Sequence, residues 1–271
     1  MRSRQDKGDL QDKGHSSFYQ RGTMNVLFIH HSCFVVELDT KVLVFDYFNG
    51  DRVNGFTFGG TLPMYDADTP MYFFASHKHQ DHFDMDIYRL AGRYEHIRYI
   101  ISKDAKLSPN YLKKHGIDPS VREKITYVTH NEKYRVDDME IRTFLSTDAG
   151  VAFAVEADGK HIYHAGDLHN WKWEGAGDLV NGKMERGYKH QIALMSDMFF
   201  DVAFVVLDPR LMQHKFRGFD YFLKNVSAKY VFPMHCWQEF GIVDEYLSRI
   251  ANPSFTGRIM RVEHENQIFA L

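Results

Sequence analysis

Cysteine is nearly missing from this chain: there are 2 in 271 residues, Cys33 and Cys236. Two thiols exclude a disulfide framework and a thiolate-only metal centre, and they suit a reducing cytoplasm. Long apolar runs are missing as well. The longest, Val202-Ala203-Phe204-Val205-Val206-Leu207, falls far short of the roughly 20 residues that span a bilayer. Positive charge is not in excess either. With 33 Lys and Arg against 36 Asp and Glu, the formal net charge is -3, which argues against a dedicated binder of long nucleic acids. Nor is there a Gly-x-Gly-x-x-Gly after a strand, a P-loop or a Gly-x-Ser-x-Gly nucleophile elbow.

What the chain does have is histidine, 16 of them, on a background of 44% hydrophobic and 25% charged residues that is ordinary for a globular protein. Residues 1–23 repeat Gln-Asp-Lys-Gly at 5–8 and 11–14 and lack the apolar stretch of a secretory signal. They read as a poorly ordered extension, with Met24 as an alternative start. Residues 24–271 show no linker or repeat, so a single domain is expected. Short β-branched and aromatic runs predict strands at 26–29, 33–37, 42–46, 71–75, 98–101, 125–128, 140–145, 151–157, 160–164, 202–207, 229–232 and 259–262. Helical patterns fall at 84–92, 108–115, 182–198, 219–225 and 243–250. Hairpin-like pairs early and helix-separated strands late suggest two sheets covered by helices.

The sharpest local signal is Ser76-His77-Lys78-His79-Gln80-Asp81-His82, directly after the apolar strand Met71-Tyr72-Phe73-Phe74-Ala75. On extended backbone alternate side chains point the same way, so His77 and His79 can aim at one point. Asp81 and His82 follow after the chain has begun to turn and can face a second point. A divalent cation relieves the crowding of imidazoles and carboxylate by binding both in their metal-ready forms.

This motif resembles the His-x-His-x-Asp-His signature of the metallo-β-lactamase-fold hydrolases, and the likeness continues through most of the chain. An Asp ends an early strand (Asp46), a Gly-Asp pair follows a later one (Gly166-Asp167), and a His follows another (His235). The resemblance implies an α/β (α+β) fold, a four-layer αββα sandwich. It implies one or two divalent metals, zinc foremost, with manganese or iron as alternatives. His77 and His79 would hold the first metal, Asp81, His82 and His235 the second, and Asp167 both. Plainer explanations stay open: Asp167 could be a turn residue and His235 a buried core histidine. The family usually supplies a third His to the first metal, but here the loop reads Leu145-Ser146-Thr147-Asp148-Ala149-Gly150. Either Asp148 replaces that ligand, or it only shapes the turn.

Other residues are expected farther back. Asp46 either orients a ligand His or simply ends its strand. His31 resembles a His-Ser turn of the ascorbate-phosphate lactonase branch, though a plain loop histidine is the simpler reading. Asp208, in Asp208-Pro209, is either a turn former or a support behind the ligands. His164, His169, Trp171 and Trp173 read as packing around Asp167, with a cleft wall as the alternative. The expected function is metal-dependent hydrolysis of a small ester, lactone or phosphoester. A metal-activated hydroxide would attack, with Asp81 orienting or deprotonating the water. The rival readings are a phosphodiesterase acting on a small nucleotide and a non-catalytic metal-binding protein. The expected partner is a small-molecule substrate, neither long nucleic acid nor a membrane.

Overall fold

A computed structural model describes residues 22–50, 53, 55–249 and 253–271. Most of the expected N-terminal extension, 1–21, therefore lies outside the described residues, as does Ile250 at the end of the last expected helix. The first sheet contains β1 (Asn25–His30), β2 (Cys33–Glu37), β3 (Val42–Phe45), β4 (Met71–Ala75), β5 (Ile97–Ser102), β6 (Ile125–Val128) and β13 (Gln267–Ala270). Their order is β13-β1-β2-β3-β4-β5-β6. The second contains β7 (Lys133–Val136), β8 (Met139–Leu145), β9 (Val151–Ala157), β10 (Lys160–His164), β11 (Phe199–Val206) and β12 (Ser227–Met234), ordered β12-β11-β10-β9-β8-β7. Hairpins and meanders run antiparallel, while β3-β4-β5-β6 and β10-β11-β12 are parallel.

Period-two alternation sorts the side chains between two cores. In β3, Leu43 and Phe45 enter the core between the sheets, whereas Val42 and Val44 face the outer side of the first sheet. In β4, Tyr72 and Phe74 do the former and Met71, Phe73 and Ala75 the latter. Both faces are covered, which is why these strands read as unbroken apolar runs instead of alternating with polar residues. A 3-10 stretch, Met85–Gly92, and α1 (Pro109–Lys114) cover the first sheet; α2 (Gly177–Ala193), α3 (Arg217–Asn225) and α4 (Gly241–Arg249) cover the second. The short α5 (Pro253–Thr256) leads to the last strand. This is the αββα sandwich.

Some local expectations are corrected. The stretch 259–262 is not a strand. Val231 donates its N–H to Arg258 and accepts one from Met260, making a single bridge to Ile259 before the chain leaves for the other sheet. The helix expected at 182–198 runs from Gly177 to Ala193. Asp178 favours its first turn, and after Ala193 the chain closes into tight turns around Ser196 and Asp197, residues that compete for backbone hydrogen bonds. The stretch at 84–92 is 3-10 instead of α. Two strands gave no signal, β7 and β13, because both are short, half-exposed edges with polar residues.

Candidate metal centre

β4 is buried along its whole length, and its carboxyl end releases Ser76 to His82. Ser76 is anchored from the neighbouring strand: its N–H donates to Asp46 Oδ1 and its Oγ–H to Asp46 Oδ2, both at 2.7 Å. His77 Nε2 and His79 Nδ1 then approach to 2.9 Å, so the two imidazoles converge on one point. The chain turns at once, with the N–H groups of His82 and Phe83 both bonded to the His79 carbonyl at 3.0 Å.

Two glycines of the second sheet let the motif seat. A Cβ on Gly150 would lie 2.0 Å from the Ser76 carbonyl oxygen, and one on Gly166 2.6 Å from Ser76 Cβ. Both have positive φ, 65° and 49°, so a side chain would be strained as well as crowded. The next residue after Gly166 is Asp167, and the close seating carries its carboxylate under the motif.

The motif histidines, Asp81, Asp167, His31 and His235 form two clusters, each with its potential ligand atoms within 4.8 Å of one another: His77, His79 and Asp167, and His31, Asp81, His82 and His235. Asp167 stands between them. Its Oδ2 is 3.4 Å from His77 Nε2, and its Oδ1 is 3.2 Å from His82 Nε2 and 3.5 Å from His235 Nε2. The expected outlying position of His31 is corrected: its Nε2 lies 3.4 Å from Asp81 Oδ2, inside the second cluster. Asp148 is at the rim, half exposed, with Oδ2 3.9 Å from His79 Nδ1 and outside the first cluster. Its N–H is held by Ser146 Oγ within a tight loop.

These residues suit a divalent cation. His31 Nε2, His82 Nε2, His235 Nε2 and Asp167 Oδ1 are all buried without a hydrogen-bond partner, and all face the same space. Buried polar atoms left unpaired cost roughly 1–3 kcal/mol each, and one cation satisfies the whole set. Burial, with His235 alongside, pulls the His31 imidazole down to about 3, so it is neutral and offers a lone pair. Burial would raise the Asp167 carboxyl, but His82 and His235 outweigh this and hold it well below the ordinary range.

The opposite ring nitrogens are tied down. His82 Nδ1–H donates to Asp46 Oδ2 and His235 Nδ1–H to Asp208 Oδ2, each at 2.7 Å. These bonds fix the tautomer that turns Nε2 inward. Asp46, His31, His235 and Trp237 all have positive φ. Four of the ten non-glycine residues with positive φ among the described residues thus lie at or beside the centre.

His164 and His169 lie outside both clusters. His164 Nε2 bonds to the Ser32 carbonyl, and His169 is packed so closely on Gly218 that a Cβ there would be 2.3 Å from the ring. Trp171 N–H donates to the Asp167 carbonyl. Residues that sequence reasoning passed over also matter. Ser76 sits beside the motif but carries no ligand signature, and Trp237 meets His31 at 4.4 Å between ring centroids. Only the fold brings Trp237 there. Next to the motif a cavity of about 550 Å³ is lined by Lys78, Gln80, Phe83, Met85, Leu107 and Tyr111.

Comparison with known proteins agrees with this architecture. The family profile described as the β-lactamase superfamily domain matches residues 25–174, more than half of the 271 residues. No curated protein sequence matches. The chain is similar to Igni18, a metallo hydrolase from the hyperthermophilic archaeon Ignicoccus hospitalis, with 15% identity and a TM-score of 0.57 over 92% of this chain and 98% of that one. It is similar to CmlA, a diiron β-hydroxylase from Streptomyces venezuelae, with 12% identity and a TM-score of 0.55 over 92% of this chain and 54% of that one. A third is YhfI from Bacillus subtilis, a metallo-β-lactamase fold protein, with 10% identity and a TM-score of 0.53 over 92% of this chain and 99% of that one. At such identities the likeness speaks for the fold, whereas the profile match speaks for descent. The chain belongs to the β-lactamase superfamily, on the metallo-β-lactamase fold.

Proposed function

We propose that this metal-dependent hydrolase acts on a small ester, lactone or phosphoester at a two-metal centre, in the manner of the lactonase-like branch. His77, His79 and Asp167 would hold the outer metal, with Asp148 at the rim as the candidate fourth ligand. Asp81, His82, His235 and His31 would hold the inner one, with Asp167 facing both. The observation that carries this reading is the single buried carboxylate facing both clusters, its Oδ1 unpaired among unpaired imidazole nitrogens. Three imidazoles with two carboxylates would suit zinc at the inner site, while two imidazoles with two carboxylates at the outer site would leave room for iron or manganese.

When bound, the metal supplies Lewis acidity that polarises the scissile group and acidifies water. The residues of the chain supply position and proton handling. Asp81 Oδ2 lies among His31, His82 and His235, at 3.4 to 3.8 Å. Its other oxygen has no hydrogen bond or ion pair among the described residues and would accept a hydrogen bond from the attacking water, orienting its lone pair toward the substrate. Asp46 and Asp208 hold His82 and His235 in a single tautomer, so neither ring must reorganise during turnover. The reading is completed by a small-molecule substrate and a single domain over residues 24–271, in a reducing cytoplasm.

Metal analysis of protein purified without added metal, paired with a panel of esters, lactones and bis(p-nitrophenyl) phosphate, tests this. Up to two metal equivalents, hydrolysis abolished by chelation, and a loss of at least about 100-fold in Asp167→Ala and His235→Ala are expected. Full metal content and activity in both variants would overturn the assignment. Cleavage of the phosphodiester alone would move the substrate class to nucleotides.

A further inference from the structure

Arg210 occupies an unusual position. It follows Asp208 at the end of β11, and its guanidinium grips that carboxylate with Nε 3.0 Å from both oxygens and Nη2 2.6 Å from Oδ2. The same Oδ2 accepts from His235 Nδ1 and, at 3.2 Å, from Trp237 Nε1. The guanidinium also lies against two indoles, with its central carbon 4.4 Å from the Trp237 ring centroid and 5.6 Å from that of Trp173. Those rings lead inward. Trp237 is 5.4 Å from His235, and Trp173 is parallel to Trp171, itself 5.6 Å from His235. Asp208 is fully buried, yet the Arg210 side chain is 43% exposed, and its Nη1 donates no hydrogen bond among the described residues.

A planar cation with one edge paired, two aromatic rings beside it and the remaining edge open is already ordered before anything binds. Little side-chain entropy remains to be lost when an anion meets that edge, and planar oxyanions match its fork. If Arg210 served only to hold Asp208, neither its exposure nor its alignment with the aromatic wall leading to His235 would be needed. We propose that Arg210 is a specificity-determining residue. It selects substrates that carry a carboxylate or phosphate beside the scissile group. This inference rests on the hydrolase reading above for the position of the scissile group, but not for the existence of the anion site.

The test compares 4-nitrophenyl hydrogen glutarate with 4-nitrophenyl butyrate in the metal-loaded wild type, Arg210→Gln and Arg210→Lys. The wild type is expected to prefer the anionic ester in kcat/KM. Arg210→Gln is expected to lower the ratio of anionic to neutral kcat/KM about tenfold or more, mainly through KM, while Arg210→Lys retains part of it. An unchanged ratio, with both esters slowed alike, would overturn the proposal and leave Arg210 as a holder of Asp208. Inhibition by glutarate and by inorganic phosphate, each compared between wild type and Arg210→Gln, separates a carboxylate-reading site from a phosphate-reading one. If the wild type hydrolyses neither ester, the simple-ester part of the substrate reading fails by itself. Calorimetric binding of glutarate then decides the anion site: weaker binding in Arg210→Gln supports it, and equal binding overturns it.

Discussion

At the scale of single residues the centre is governed by carboxylates that never face the metal. Asp46 and Asp208 make similar bonds to His82 and His235, but they do not carry the same load. Asp46 also accepts both donors of Ser76 and so shapes the start of the motif, whereas Asp208 meets Arg210 and Trp237 at the edge of the site. Burial raises the Asp208 carboxyl, but hydrogen bonds from His235 and Arg210 outweigh it and keep the group ionised. Asp208→Asn is therefore expected to weaken metal binding about 10- to 100-fold with a small change in melting temperature. Asp46→Asn should weaken binding similarly and lower the melting temperature as well. Chelator-competition titration and thermal unfolding of the metal-free variants check both. The bond from His82 to Asp46 joins residues 36 positions apart in the chain, so the residue types were legible in sequence while their pairing was not.

At the scale of elements, the site depends on backbones that approach without side chains between them. The loop before β9 and the turn after β10 press Gly150 and Gly166 onto Ser76, at the end of a strand in the other sheet. Gly150→Ala places a Cβ 2.0 Å from the Ser76 oxygen and forces alanine into a positive φ of 65°. The expected cost is on the order of 3 kcal/mol, together with loss of metal. Gly159→Ala, in the β9–β10 turn at φ 69° with no atom within 4 Å, should cost only about 1 kcal/mol and leave metal content intact. Denaturant unfolding and metal analysis of the two variants separate crowding from backbone strain. Strands with strong β-branched or aromatic runs, such as β4 and β9, were legible from periodicity. The polar edges β7 and β13 were not, because an edge strand draws its stability from pairing partners instead of from its own apolar content.

At the scale of the whole molecule, the two sheets are clamped at the strand ends remote from the metal. Lys41, before β3, is 4% exposed and places its ammonium 2.6 Å from Asp158 and 2.7 Å from Asp138, both in turns of the second sheet. Burial would lower the Lys41 pKa, but the two carboxylates outweigh it and raise it above 10.5. Burial would raise the Asp158 carboxyl, but Lys41 and Thr40 outweigh it and hold it below 3.8. A raised lysine stabilises below its unfolded pKa and loses that contribution as pH rises through the folded value. A depressed carboxylate stabilises above its unfolded pKa and loses the contribution as pH falls through the folded value. The stability difference between the wild type and Lys41→Met is thus expected to be on the order of 3 kcal/mol. It should be level from about pH 5 to 9 and shrink at both extremes, as denaturant unfolding across that range checks. A difference that varied strongly between pH 5 and 9 would place the stabilisation in other groups.

By itself the sequence determined the material of the centre. With almost no cysteine, any metal had to be held by imidazole and carboxylate. A run of apolar residues ending in His77-Lys78-His79-Gln80-Asp81-His82 pointed alternate ligands to two places, because side-chain direction on an extended chain is a local property. Only the tertiary structure decided which distant groups completed those places. It brought His31 into the inner cluster, left Asp148 at the rim, put Asp208 behind His235 and set Arg210 beside Trp173 and Trp237. The physical reason is that these contacts join loops from two different sheets, and their distances are set by how closely the sheets pack and not by any spacing along the chain.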